Sequence, residues 1–253
     1  MTETTIDAPP ADLDLLATVA ELAQHAGLLV AELFHGDRRR ASAIAEDGRS
    51  TVDHVVEDAV RGRIRALAPQ DGILGARDRA DVAAPGRRWL IDPLDGMPFF
   101  SGGIPLFTSA LTCRDEHGIL AAALVMPMQQ ELLYAGRGRG ALLLAGERFT
   151  PETAVPARIT RNSTATQQRV LWPEDIGGVP YKTALLATGR ADAVVIAAPP
   201  SAHWWAPLPM LVREAGGCIA DAEGRETGRG TLLACASDRH PELRASLLGA
   251  HAG

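Results

Sequence analysis

Hydrophobic residues recur at helical spacing in two stretches of the N-terminal part of the chain. Residues 13–34 place an apolar side chain at every third or fourth position, and Asp12 stands directly before them as a candidate N-cap. After a loop around Gly48, residues 53–67 show the same periodicity, with charged residues on the opposite side. The pattern predicts two amphipathic helices.

The pattern then changes to short apolar runs that are separated by glycine, proline and charged residues. Runs of this length between turn residues are typical of an antiparallel sheet. The predicted strands are residues 89–91, 106–113, 119–126, 131–135 and 141–144.

In the C-terminal part, apolar runs alternate with stretches of helical character, an order that favours an α/β layer. The predicted strands are residues 170–171, 193–198, 217–220 and 232–236, and the predicted helices are residues 181–189, 205–215 and 241–248. We therefore expect an α+β half over residues 1–150 and an α/β half over residues 151–253, joined in one compact unit.

Composition narrows the class of partner. The 253 residues are 46% hydrophobic, enough for a large core, and carry a net charge of −6. The densest basic run, Arg38-Arg39-Arg40, is too short to follow a nucleic-acid backbone. No apolar run approaches the roughly 20 residues of a membrane span, and the N-terminus lacks the basic and apolar regions of a signal peptide. The sequence therefore predicts a cytoplasmic protein with a small-molecule partner, and neither a nucleic acid nor a membrane.

The cysteines do not form a recognisable framework. Cys113, Cys218 and Cys235 are far apart in the sequence, odd in number and mostly flanked by apolar residues. This spacing argues against a disulfide scaffold or a CxxC metal site, and it predicts buried free thiols.

A pair of aspartates follows the first predicted strand of the central sheet. Asp92 and Asp95 lie three residues apart in the segment Trp-Leu-Ile-Asp-Pro-Leu-Asp-Gly, with Pro93 stiffening the turn between them. Buried apolar strands seldom end in two acids and a glycine, so a functional role is favoured over a generic acidic turn. We predict that both carboxylates face one site.

This segment is similar to the DPxDGT motif of the inositol monophosphatase family, and three further segments resemble that family in order and spacing. They are AGRGRGA at residues 135–141, ATGRADAV at residues 187–194 and REAGG at residues 213–217. The resemblance extends over nearly the whole chain. It implies a layered α/β/α/β/α sandwich and a homodimer.

The resemblance also implies a magnesium site, from which this sequence departs. Family members resemble one another in binding two or three magnesium ions through a Glu after an ILG segment, both motif aspartates and the Asp of a WDxA motif. A Thr after the DG pair and an upstream Asp in a TEAD-like segment orient the attacking water. Asp92 and Asp95 are retained, but the other positions carry Ala76, Met97, Trp204 and, with the TEAD-like segment aligned on residues 54–57, Val56. We therefore expect no metal and no cofactor, although a single weakly held ion stays open.

Bulky apolar residues replace polar ones in this comparison. Trp204 and Met97 stand where a metal ligand and a catalytic hydroxyl would project, which favours a cavity for an apolar or aromatic ligand. Arg77 either replaces part of the lost metal charge, clamps an anionic ligand or is a solvated surface residue. The predicted ligand-binding residues are Met97, Phe99, Trp204, Arg77 and Gly96, the last through free N–H groups of the helix that it opens.

Three functions from different classes stay open at this point. The first is a metal-independent enzyme of the isomerase, cyclase or lyase type, in which the catalytic residues Asp92 and Asp95 share a proton and act as acid and base. The second is a non-catalytic phosphatase homologue that binds a ligand or a partner. The third is an impaired magnesium-dependent sugar or inositol phosphatase. Because a scaffold has no need for two carboxylates in an apolar pocket, the sequence favours the first.

Overall fold

The computed structural model of the chain describes residues 8–75, 86–146, 153–159, 169–197, 205–226 and 230–247. The helices are α1 Leu13–His35, α2 Arg38–Ala41, α3 Thr51–Leu67, α4 Met97–Gly102, α5 Val179–Ala187, α6 Leu208–Glu214 and α7 His240–Leu247. The strands are β1 Gly72–Leu74, β2 Arg88–Asp95, β3 Thr108–Asp115, β4 Gly118–Met126, β5 Glu131–Gly136, β6 Gly140–Ala145, β7 Val155–Ala157, β8 Val170–Leu171, β9 Ala193–Ala197, β10 Gly217–Ala220 and β11 Thr231–Ala236.

The strands form two sheets. The larger sheet contains β1 to β7 in sequence order and is antiparallel apart from the parallel pair β1 and β2. The smaller sheet has the order β10, β11, β9, β8, and only β8 and β9 run parallel. The sequence reading missed β1, β7, α2 and α4, all of which are short, and it ended β2 at residue 91 although the strand continues to Asp95.

Helices cover both sheets and separate them. On one face of the large sheet, α1 and α3 bury residues such as Leu22 and Val60 in one hydrophobic cluster with Val125 of β4. The other face packs against α5 and α6, where Leu124 shares a hydrophobic cluster with Leu211. The same two helices cover the small sheet, and α7 closes its far side. The predicted α/β/α/β/α sandwich is confirmed.

Helix α1 is long and apolar enough to cross a membrane by length and composition. The sequence expectation that no such stretch exists is therefore wrong. Its apolar face is buried, with Val19, Leu22 and Val30 fully enclosed against the sheet. This packing is that of a core helix.

Helix α1 approaches the large sheet closely at Gly27. A methyl group added to Gly27 would lie 2.6 Å from Cγ2 of Val125 on β4. We expect Gly27→Ala to lower the free energy of unfolding by about 1–3 kcal/mol, because overpacking forces the helix or Val125 to shift. Urea denaturation measures this change.

The matched control for this substitution is Gly62→Ala on α3, where an added methyl group meets no atom within 4 Å. Alanine is the better helix former, so this variant should gain about 0.5–1 kcal/mol. Equal effects of the two substitutions would contradict the close approach of α1.

Candidate active site

A β-bulge sets the direction of the two motif aspartates. Asp92 pairs with Ala110 and Asp95 pairs with Thr108, so three steps along β2 match two steps along β3. Residues three apart in a regular strand point to opposite faces, and the extra residue of the bulge cancels this alternation. Pro93 lies in the bulge, a position that does not need a backbone N–H for the hydrogen bonds between the strands.

The two carboxyl groups interact, and both are hard to ionise. The Oδ2 atoms of Asp92 and Asp95 are enclosed and have no hydrogen-bond partner within the described part of the chain. Burial, followed by the charges of Asp95 and Asp53, raises the pKa of Asp92 to about 8. Burial raises the pKa of Asp95 to about 6. A pair with these properties either holds a proton near neutral pH or binds a cation.

Asp53 is a third carboxylate of the site, which the sequence reading missed. It lies in the first turn of α3, where its Oδ2 accepts hydrogen bonds from Ser50 N and Oγ at 2.9 and 2.7 Å. The alignment of the TEAD-like segment on residues 54–57 is therefore wrong, because Val56 is fully buried in the core whereas Asp53 acts on Asp92. The capping box formed by Ser50 and Asp53 is readable in the sequence and could have placed α3 correctly.

The N-terminus of α5 reaches the same site. Gly178 is the N-cap residue of α5, and a methyl group added to it would lie 2.0 Å from Oδ2 of Asp95. The buried Lys182 holds the preceding loop, since its ammonium group donates to the carbonyl oxygens of Trp172 and Pro173 at 2.6 and 3.0 Å. A side chain at position 178 would therefore displace the Asp95 carboxylate or the start of α5, and no motif in the sequence had indicated this.

A buried glutamate fixes the end of β1. Glu57 forms ion pairs with Arg49 and Arg61, and its carboxylate lies against the backbone of Gly75. A methyl group on Gly75 would lie 1.9 Å from Oε1 of Glu57, so a side chain at this position would displace the carboxylate. Gly75 is the residue before the segment that contains Ala76 and Arg77 in the sequence.

The structure separates the aromatic residues near the motif into core and candidate ligand contacts. Phe100 is fully buried in a ring cluster with Phe34 and Phe107, so it belongs to the core. Phe99 and Met97 are only partly buried, and Met97 also packs against the core cluster. Their role in binding a ligand stays a prediction.

Of the remaining predicted ligand-binding residues, the structure describes Gly96 alone. Gly96 opens α4 with a left-handed φ of 97°, a conformation that favours glycine. Arg77 and Trp204 lie outside the described residues, and so does the predicted contact between Trp204 and Asp95. His54 lies at the surface, where its Nε2 is 3.2 Å from a carboxylate oxygen of Asp47.

The carboxylates present fit one divalent cation. Mg²⁺ in proteins usually keeps several waters and is held by one or two carboxylates, and the unpaired oxygens of Asp92 and Asp95 supply such ligands. Over the described ranges, no group of three or more His, Cys, Asp or Glu residues is arranged to hold a metal ion. The donor set therefore fits a single hydrated ion.

Known proteins resemble this chain over most of its length. It is 29% identical over 233 residues to the histidinol-phosphatase of Chlorobaculum parvum, a match that covers 84% of this chain and 87% of the relative. It is 30% identical over 201 residues to the inositol-1-monophosphatase of Rhizobium meliloti, with 69% and 72% covered. Among solved structures, the extragenic suppressor protein suhB of Bartonella henselae matches with a TM-score of 0.75 at 21% identity, covering 92% of this chain and 98% of that one.

These relatives overturn the preferred functional hypothesis. The expectation of a metal-independent isomerase, cyclase or lyase is wrong, because both relatives described above and a second histidinol-phosphatase, from Mycobacterium tuberculosis, are named as phosphatases. The replaced residues Ala76, Met97 and Trp204 had suggested that phosphatase chemistry was lost, whereas the retained Asp92 and Asp95 agree with the phosphatase relatives.

The family assignment rests on the whole chain rather than on single motifs. The inositol monophosphatase family profile matches residues 12–251, a range that includes both sheets and the candidate site. The layered fold and the position of Asp92 and Asp95 at the bulge of β2 agree with this match. The chain belongs to the inositol monophosphatase family.

Proposed function

We propose that this protein is a phosphatase that hydrolyses the phosphate monoester of a small alcohol, with Asp92 and Asp95 holding one divalent cation. The observation that supports this function is the pair of enclosed, unpaired Oδ2 atoms at the bulge of β2. Two buried carboxylates are unfavourable when ionised without a partner, and a divalent cation offsets this penalty.

The described residues have separate roles in this proposal. When bound, the cation supplies positive charge to the phosphoryl oxygens and lowers the pKa of a coordinated water. Asp53 orients the attacking water and takes its proton, because its charge reaches Asp92 and two hydrogen bonds from Ser50 hold its carboxylate in place. Gly178 borders Asp95 without a side chain and so keeps the space beside this carboxylate open.

The substrate class follows from the partly apolar surroundings of the site. Met97 and Phe99 follow the motif and are partly buried, which fits the predicted apolar or aromatic ligand. Two relatives are named histidinol-phosphatase. A phosphate ester that carries a flat ring therefore fits both the retained acids and the apolar residues, and inositol phosphates are the second class to test.

The departures from the family pattern affect metal affinity in this proposal. Ala76 and Trp204 replace residues that the family resemblance assigns to metal binding, so two aspartates hold the ion and its binding is weak. We also propose that the protein acts as a homodimer in the cytoplasm, as the resemblance and the sequence composition imply.

The test is release of inorganic phosphate from histidinol phosphate and inositol 1-phosphate, measured with increasing Mg²⁺ and with EDTA. We expect hydrolysis that rises with Mg²⁺ without saturating at low concentration and that EDTA abolishes. Asp58→Asn removes a carboxylate at an exposed position of α3, outside the candidate site. As the control for loss of an aspartate, this variant should hydrolyse both substrates at the unmodified rate. Hydrolysis that survives EDTA, or none with either substrate at any Mg²⁺ concentration, would overturn the proposal.

A further inference from the structure

Two of the three cysteines are cross-strand neighbours in the small sheet. Cys218 on β10 is directly opposite Cys235 on β11 in the antiparallel register. Directly opposite residues project to the same face, with Cα atoms about 4.5–5.5 Å apart. A disulfide requires Cα atoms roughly 4.4–6.8 Å apart, so the backbone already meets this requirement.

The two thiols influence each other's ionisation. The neighbouring Cys235 side chain, as the largest cause, lowers the pKa of the Cys218 thiol. The neighbouring Cys218 side chain and burial raise the pKa of Cys235. Because Cys218 is also the more exposed of the two, it is the thiol that ionises first and attacks first.

The solvent exposure of the three thiols also favours Cys218 as the attacking group. Cys218 is partly exposed on β10, which is an edge strand of the small sheet, so the prediction that all three thiols are buried is wrong for this residue. Cys235 is fully buried beneath α7 in a cluster with Leu233 and Leu243. Cys113 is fully buried in the large sheet, and burial raises its pKa to about 12. Cys113 thus serves as an internal control.

We propose that Cys218 and Cys235 form a reversible redox site, in which a hydroperoxide converts the dithiol to a cross-strand disulfide. The Cys218 thiolate attacks hydrogen peroxide, an S–O bond forms as the O–O bond breaks, and the departing hydroxide is protonated to water. The sulfur of the Cys235 thiol then attacks the sulfenic sulfur of Cys218, the S–S bond forms as the S–O bond breaks, and the departing hydroxide takes the Cys235 proton and leaves as a second water. Two thiols and one peroxide thus give one disulfide and two waters.

The redox site formed by Cys218 and Cys235 requires neither the phosphatase chemistry nor a metal. It lies in the small sheet, whereas Asp92 and Asp95 lie on β2 of the large sheet. Formation of the disulfide links β10 to β11 and thereby ties an edge strand to the interior of its sheet. The proposal can therefore fail or succeed independently of the proposed function.

The experiment is peroxide treatment of the reduced full-length protein, followed by thiol alkylation, non-reducing trypsin digestion and mass spectrometry. Trypsin cleaves after Arg213, Arg225, Arg229 and Arg239, so the two cysteines leave in separate peptides unless they are joined. We expect a mass loss of about 2 Da, one peptide that joins Cys218 to Cys235, and full recovery of both thiols with dithiothreitol. Cys113 should stay reduced.

Variants separate the attacking thiol from the resolving thiol. In Cys235→Ser, Cys218 should pass to the sulfinic or sulfonic acid, and in Cys218→Ser, Cys235 should resist peroxide. Cys113→Ser should form the same disulfide as the unmodified protein. Overoxidation of Cys218 without a disulfide in the unmodified protein, a disulfide between two chains, or equal reactivity of Cys113 would overturn the proposal.

Discussion

Asp92→Asn should abolish magnesium-dependent phosphate release and, without metal, should make the folded protein more stable. Both effects come from the same carboxylate. The substitution removes a ligand that the proposed cation cannot lose, since only Asp92 and Asp95 are assigned to hold it. We expect activity to fall by about three orders of magnitude or more, a loss typical of an essential catalytic group.

The gain in stability follows from the raised pKa of Asp92. The pKa is about 8 in the folded protein against an ordinary value of 3.8 for an aspartate, so folding disfavours the ionised form. The penalty is absent below the unfolded pKa, grows as the pH rises and is complete above about pH 8. At about 1.4 kcal/mol per pKa unit, it reaches about 4 kcal/mol near neutral pH as an upper bound. Asn carries no charge and avoids this penalty.

The measurement is thermal unfolding across a pH series in EDTA. Asp92→Asn should melt several degrees above the unmodified protein at pH 8 and should converge with it in acid, whereas Asp58→Asn should follow the unmodified protein throughout. Added Mg²⁺ should raise the melting temperature of the unmodified protein and of Asp58→Asn, but not that of Asp92→Asn. A difference that does not depend on pH would show that the Asp92 carboxylate is not the cause.

Gly178→Ala should lower kcat/KM by about a hundredfold, since a misplacement of about 1 Å near reacting groups has effects of this size. The added methyl group would lie 2.0 Å from Oδ2 of Asp95, so either this carboxylate or the start of α5 must move. The backbone itself accepts alanine, because φ at this N-cap is −67°. The loss should therefore be steric.

Steady-state kinetics and urea denaturation check this prediction together. Gly62→Ala is again the matched control, because an added methyl group there meets no atom within 4 Å. The Gly178 variant should stay folded, with a loss of stability of about 1–3 kcal/mol. Unchanged kinetics in a folded Gly178→Ala would mean that Asp95 has no fixed role beside α5.

Local patterns were sufficient for the larger elements of the fold. The helical spacing over residues 13–34 and 53–67 predicted α1 and most of α3, because each helix buries one face against the same sheet. The short apolar runs predicted β3 to β6. The helices and strands that the pattern did not predict, β1, β7, α2 and α4, have three to six residues each, too few positions to show a period.

In the candidate site, some residues were evident from the sequence and others were not. The pair Asp92 and Asp95 was evident from the sequence, because two acids next to a buried strand are unusual in themselves. The third carboxylate was not, since Asp53 lies on α3 and a misplaced alignment had pointed to Val56. The substitutions at positions 76, 97 and 204 led the sequence argument to the wrong reaction class, which the phosphatase relatives corrected.

The sequence by itself therefore determined the two long helices, the apolar strands, the motif aspartates and the family resemblance, all of which depend on residues close together in the chain. The tertiary structure alone decided which distant residues meet. The bulge opposite Ala110 and Thr108 directs both aspartates to one site, the start of α5 places Gly178 against Asp95, and strand register places Cys218 opposite Cys235. Hydrophobic periodicity reports which face of an element is buried, but register and bulges arise only when separate segments pack together.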